Sequence, residues 1–190
     1  MSTLPPPTWT TYAVVIAKGI RSVGTALVHI AARPFSADAR PKSVFRDFAY
    51  ALFRSLVSGL TDEQEECIVS PTDEAVKSWA SSNKVVVKTI ALKSGLKCYW
   101  IGEPKAEKTI LFFHGGGFRW GCSPGHLTWL YRLQGTLRAD GMDVACLVVG
   151  YSLTPGTQYP VQLQQAVEAL QWLKESAGKT ARNVSATSSR

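Results

Sequence analysis

Two short, almost wholly apolar runs, residues 109–113 (Thr109-Ile110-Leu111-Phe112-Phe113) and 144–149, limit what this chain can fold into. A short run without polar alternation is the pattern of a strand covered on both faces. Between them, Leu127, Leu130, Tyr131, Leu133 and Leu137 predict a helix over 125–138, and Gly141-Met142 turns the chain. A second helix is predicted over 161–174. Strand and helix in alternation predict an α/β fold with a parallel sheet. Upstream, the β-branched run 85–92 and the run 97–101 flank Ser94-Gly95, which predicts a hairpin feeding the same sheet.

The first eighty residues lack this rhythm and read as helical, giving an expected organisation of a helical, cap-like region over 1–80 and a partial α/β domain over 81–190. Pro5-Pro6-Pro7 stiffens the start of the chain. From residue 9 to 32 the sequence is rich in apolar side chains, but Lys18, Arg21 and His29 interrupt it, which argues against a membrane span. No Lys or Arg precedes Tyr12, which argues against a secretory signal. Ile16, Ile20, Val23 and Leu27 recur at helical spacing, predicting an amphipathic helix whose apolar face packs on the body of the protein. Attachment to a membrane surface through this basic helix is the alternative. A second helix is predicted from about Ser43 to Leu60, after Pro41, with Val44, Phe45, Phe48, Leu52, Phe53 and Leu56 on one broad face. Short helical pieces follow around 62–67 and 72–80.

Charge and cysteine usage exclude several functions. Twenty-one Lys and Arg against fourteen Asp and Glu leave a formal charge of +7. The basic residues are scattered, with no run of three, so no nucleic-acid partner is expected. Cys67, Cys98, Cys122 and Cys146 are far apart, without Cys-x-x-Cys or a Cys/His cluster at zinc spacing, so neither a metal nor another cofactor is expected. Cys146 reads as a small core residue. Reduced cysteines make a cytoplasmic address the default expectation.

The chemistry is concentrated where the run 109–113 ends. It leads directly into His114-Gly115-Gly116-Gly117-Phe118. Glycines remove side chains that would block a ligand and tolerate positive φ, so such a backbone can aim its N–H groups at one point, as an acyl-transfer oxyanion requires. The Gly-x-x-x-x-Gly-Lys pattern of a phosphate loop is absent.

The stretch Phe112-Phe113-His114-Gly115-Gly116-Gly117-Phe118 resembles the oxyanion-hole motif of the hormone-sensitive-lipase-like branch of the α/β hydrolases. Tyr151-Ser152-Leu153-Thr154-Pro155, followed by Tyr159-Pro160, is similar to a second signature of that branch, and Tyr99-Trp100-Ile101-Gly102 resembles its fungal esterase-like members. The likeness covers about residues 85–175. It implies an α/β-hydrolase sheet and an ester hydrolase acting on apolar carboxylic esters. Gly115, Gly116 and Gly117 would form the oxyanion hole, supported by His114, Phe118, Tyr151 and Pro155. Two family positions differ together: the usual Arg is Ser152 and the usual Asp is Gln165, a pair expected to be partners.

The resemblance also implies a nucleophilic Ser in Gly-x-Ser-x-Gly after the strand that follows the helix over 161–174, and no such pattern occurs there; the one match in the chain, Gly121-Cys122-Ser123-Pro124-Gly125, stands just after the glycine loop. After the helix over 161–174, residues 179–184 approach the position of the strand that would precede it, and Ser185-Ala186-Thr187-Ser188-Ser189-Arg190 follow. The expectation is a chain truncated before the nucleophile, with no complete catalytic set and no activity alone. The alternative is a non-catalytic binding module, self-associating through an exposed sheet edge. Ser123 beside the loop and Ser152 are the remaining candidate hydroxyls; His126 lies near Ser123, and His29 reads as a packing residue.

Overall fold

The computed structural model describes residues 7–35 and 42–187. Pro5, Pro6, Pro41 and residues 188–190 lie outside them. The chain divides into two compact units, Leu4–Ile68 and one built from Val69–Arg190.

The first unit is helical: α1 (Trp9–Ala31), α2 (Val44–Val57) and α3 (Asp62–Glu66). Thr8, Ser43 and Thr61 cap their N-termini, each side-chain oxygen accepting a backbone N–H three residues on. The packing of α1 corrects the sequence reading. Ile16, Ile20, Val23 and Leu27 are 64%, 71%, 43% and 57% exposed, whereas Ser22 and Ala26 are buried. Small side chains let helices approach closely, and the inward polar groups find partners: Lys18 Nζ donates to the Gly59 carbonyl and, at 2.7 Å, to Gln64 Oε1. His29 Nε2 lies 3.1 Å from Asp47 Oδ1 on α2. The predicted broad face of α2 is likewise split, with Val44, Phe45 and Phe53 exposed and Phe48, Leu52 and Leu56 half-buried. By length and composition alone, α1 is also long and apolar enough to cross a bilayer.

The second unit comprises α4 (Thr72–Asn83), β1 (Val87–Ala91), β2 (Lys97–Ile101), β3 (Lys108–Phe113), α5 (Pro124–Ala139), β4 (Val144–Gly150) and α6 (Val161–Thr187). The strands form one sheet in the order β1-β2-β4-β3. β1 and β2 make the expected hairpin; β2 runs antiparallel to β4, and β4 runs parallel to β3. The sheet is therefore mixed, with its parallel pair made by the β3–α5–β4 crossover. Among the described residues, the outer edge of β3 is unpaired.

Side chains alternate across the sheet, so each strand feeds two cores. Tyr99, Ile101, Cys146 and Val148 pack with Val76 and Trp79 of α4 and Leu127 and Leu130 of α5. Cys98, Trp100, Ala145, Leu147 and Val149 form the other core with Ala169 of α6. Helix α4, assigned from sequence to the helical N-terminal region, thus packs on the sheet. Helix α6 continues through residues 175–187, where the sequence reading had the helix end near 174. Burial pushes the thiols of Cys98 and Cys122 up to about 12 and that of Cys146 up to about 11, which keeps them protonated.

Candidate active site

Parallel pairing of β3 and β4 brings the ends of both strands out on one side of the sheet. Phe113 pairs with Val149, so His114 and Tyr151 emerge as neighbours. Gly150 permits this: a Cβ there would come within 2.8 Å of the Tyr99 ring and 2.9 Å of the Lys97 carbonyl. The two sequence motifs, 33 residues apart between Phe118 and Tyr151, therefore meet in space.

His114 is buried and stacks on Tyr151, with ring centroids 4.2 Å apart and planes 14° from parallel. Its hydrogen bonds close into one consistent set. The Cys122 N–H donates to Thr72 Oγ1 at 3.0 Å, and Thr72 Oγ1 lies 3.3 Å from His114 Nε2. His114 Nδ1 is 3.0 Å from the Gly115 carbonyl, and the Tyr151 hydroxyl donates to the His114 carbonyl. Each proton is used once if His114 is neutral, carries its hydrogen on Nδ1 and accepts from Thr72 at Nε2; this tautomer is assigned from the network. Burial holds the imidazole below its ordinary pKa, partly opposed by the Gly115 hydrogen bond, with the charge of His126 a smaller lowering influence. Burial also pushes the Tyr151 hydroxyl up to about 12. Both ring nitrogens are engaged, so His114 braces the loop and has no lone pair free to act as a base.

The depressed pKa sets a stability window. Above about pH 6.5 the imidazole is neutral whether the chain is folded or not. As pH falls below that value the unfolded chain takes up a proton that the folded chain resists, so stability declines until the folded pKa is passed. Thermal midpoints are expected to drop between pH 7 and pH 5, and to drop less in His114→Asn; equal slopes in the two proteins would contradict this.

Beyond His114 the backbone turns sharply. The Gly116 carbonyl accepts from Arg119 N at 3.0 Å and Trp120 N at 3.1 Å. Gly116 has φ +123°, and a Cβ on it would sit 2.8 Å from the Trp120 carbonyl oxygen, so only glycine fits. Gly117 and the non-glycine Phe118 follow at φ 60° and 61°. Phe118 is held there from two directions: its ring meets Tyr151 edge-on at 5.5 Å, and its carbonyl accepts from Thr154 N at 2.8 Å. Pro155 follows, exposed. The Gly115, Gly116 and Gly117 residues are exposed, and their N–H groups meet no acceptor among the described residues. Three consecutive free amides on a braced backbone can bind an anionic or strongly polarised oxygen.

The remaining candidates are occupied elsewhere. Ser123 and His126 form a helix cap: His126 N donates to Ser123 Oγ, and Ser123 N donates to His126 Nδ1, each at 3.3 Å. The hydroxyl and ring are near each other for capping and not as a nucleophile and base. Ser152 and Gln165 are direct partners. Ser152 N donates to Gln165 Oε1 at 2.7 Å, and Gln165 Nε2 donates to Ser152 Oγ at 2.9 Å. This neutral clamp ties the loop after β4 to α6. Sequence reasoning missed Thr72, which lies 42 positions from His114 and carries no motif. Gly121, which follows the loop, packs on the segment before α4: a Cβ there would press within 2.6 Å of the Ser70 carbonyl. No local pattern signals either contact.

The mixed sheet, with a glycine loop where β3 ends and α5 begins the crossover to β4, agrees with an α/β-hydrolase fold. Residues 110–190 match the family described as alpha/beta hydrolase fold. A stretch of 86 residues is 33% identical to esterase LipI of Mycobacterium tuberculosis, covering 43% of this chain and 25% of that protein. Another of 72 residues is 33% identical to ethyl acetate hydrolase of Pseudomonas putida, covering 38% of this chain and 21% of the relative. Among solved structures, carboxyl esterase 2 of the mycorrhizal fungus Tuber melanosporum aligns at 25% identity and a TM-score of 0.41, over 59% of this chain and 43% of that one. The matches span a quarter or less of the length of the two curated relatives.

Proposed function

We propose that this chain carries the oxyanion-binding half of an esterase site of the hormone-sensitive-lipase-like kind, for carboxylic esters with apolar acyl or alcohol groups. The observation that carries the reading is the trio of unpaired amides at Gly115, Gly116 and Gly117, braced by His114, Phe118 and Tyr151. In such a site the amides accept the negative charge that grows on the carbonyl oxygen as a nucleophile attacks. Tyr151 and Thr72 hold His114 still, and Thr154 anchors Phe118, so the donors are aimed before an ester arrives. The one Gly-x-Ser-x-Gly sequence, residues 121–125, opens α5, and its Ser123 has extended backbone and caps that helix, so it supplies no activated nucleophile. The chain therefore binds and polarises an ester carbonyl without cleaving it.

Equilibrium binding of a non-hydrolysable butyl phosphonate ester tests this reading. Gly116→Ala displaces the loop at its tightest point, and is expected to weaken binding about ten-fold, the equivalent of one lost hydrogen bond of about 1.4 kcal/mol. Thermal melting of the variant separates this loss from unfolding. Equal affinity in a folded Gly116→Ala protein would remove the glycine loop from the proposal.

A further inference from the structure

The helical unit has its polarity reversed. Helix α1 turns small and polar side chains towards its neighbours: Ser22 and Ala26 are buried, Lys18 is bonded to Gly59 and Gln64, and His29 faces Asp47. Among the described residues the buried Ser22 hydroxyl meets no hydrogen-bond partner. On the opposite side, Trp9, Ile16, Ile20, Val23 and Leu27 form one exposed apolar stripe along the helix. Their spacing of three, four and seven residues keeps them on a single face over the length of α1. In water this arrangement is the wrong way round. It suits a helix whose outer surroundings are lipid, where small residues mediate helix contacts and large apolar ones face the acyl chains.

On α1, α2 and the turn before α2, the exposed charged side chains Arg21, Lys42, Arg46 and Arg54 are cationic and the carboxylate of Asp47 is buried against His29 and Arg33, while α3 of the same unit carries the exposed carboxylates Asp62 and Glu63. Cationic side chains on α1 and α2 complement anionic lipid head groups. Trp9, 90% exposed, stands at the end of the stripe, and aromatic rings of this kind settle at the head-group level. Arg21 lies well off the stripe, and Lys18 is held inward, which leaves the stripe itself free of charge.

We infer that α1 is a membrane-binding element that lies along the surface of an anionic bilayer with the Trp9, Ile16, Ile20, Val23 and Leu27 stripe in the acyl region. It would hold the esterase-like unit beside apolar substrates, but the inference stands on the helical unit alone.

The test is flotation of the purified 190-residue chain with vesicles of phosphatidylcholine and phosphatidylserine. The parent chain is expected to rise with the vesicles, and to bind less to phosphatidylcholine alone. Ile20→Glu/Leu27→Glu places two carboxylates in the stripe at exposed positions and is expected to lower binding at least about ten-fold. Thr25→Glu, exposed but off the stripe, is expected to float nearly as well as the parent. Circular dichroism confirms that each variant keeps its helices, and the lipid dependence of the parent gives an answer that needs no variant. A parent chain that stays with the lipid-free protein overturns the inference. So does equal flotation of the double variant, or a dimer in light scattering that the double variant dissolves while lipid binding is absent.

Discussion

The purified 190-residue chain is expected to hydrolyse p-nitrophenyl esters no faster than a heat-denatured control. A serine hydroxyl is almost fully protonated at neutral pH and attacks a carbonyl only with an adjacent base. Ser123 Oγ accepts the His126 N–H, and His126 Nδ1 accepts the Ser123 N–H, so the ring nitrogen nearest the hydroxyl is already committed to the backbone. Ser152 Oγ is held by Gln165, an amide that cannot take a proton at neutral pH. His114 is buried, neutral and engaged at both nitrogens. An oxyanion loop without nucleophile and base retains only a small residual effect. Removing the activating residues of a serine protease costs about a million-fold in kcat, which would leave a rate near background here. Turnover by mass-verified protein that disappears in Ser123→Ala or His126→Ala would contradict the account and make the cap a working dyad.

Leu147→Ala is expected to cause the largest loss of stability of any single truncation in the sheet. Leu147 is fully buried at the centre of β4, paired with Trp100 of β2 on one side and Leu111 of β3 on the other. Rigid strands on both sides and α6 above leave the site little room to collapse, so the transfer and cavity costs add, to about 2–5 kcal/mol. Domains are stable by only about 5–15 kcal/mol, so this is a large share of the total. At about 2–4 °C per kcal/mol for a chain of this size, the thermal midpoint should fall by roughly 10 °C. Phe113→Ala is the comparison: Phe113 is 43% exposed at the end of the outermost strand and should cost far less. A Leu147→Ala midpoint within a degree or two of the parent would mean that β4 is not the centre of the core.

The parts of the fold that were legible in the sequence are those where burial is nearly complete. Residues 109–113 and 144–149 are apolar on both faces, and that pattern has few alternatives to a covered strand; β3 and β4 lie there, paired in parallel. The hairpin was marked by Gly95, whose φ of 84° a β-branched residue would not adopt. Helix α1 was legible as a helix, but its orientation was not. Periodicity reports that apolar residues share a face, and it carries no information on whether that face meets protein or another medium. Ser22 and Ala26, which lie inside, are small and contribute almost nothing to the pattern. Helix α6 runs on past residue 174, where the sequence reading ended it and expected the approach to a further strand, through Glu175, Ala177, Lys179, Ala181 and Arg182, residue types that favour helix.

At the candidate site, the glycine triplet announced itself, and two of its members, Gly116 and Gly117, take the positive φ that glycine permits. The bracing did not. Thr72 reaches His114 from a helix far upstream, and the contact exists only because α4 packs on the sheet. Ser152 and Gln165 stood out through the resemblance, as two family positions that differ together, and they are hydrogen-bonded to each other. Together they tie the loop after β4 to α6 through uncharged groups.

The central claim is that the Gly115, Gly116 and Gly117 amides form a ready-made site for a carbonyl oxygen carrying negative charge. The most direct measurement is a backbone amide NMR titration of the full chain with butylphosphonate, whose anionic oxygens stand in for the oxyanion. The account predicts progressive, saturable shifts of the Gly115, Gly116 and Gly117 amide signals, with smaller shifts at Phe118 and Tyr151 and none in α1 or α2. Unmoved glycine signals at saturating phosphonate, or shifts confined to exposed Lys and Arg surfaces, would contradict it.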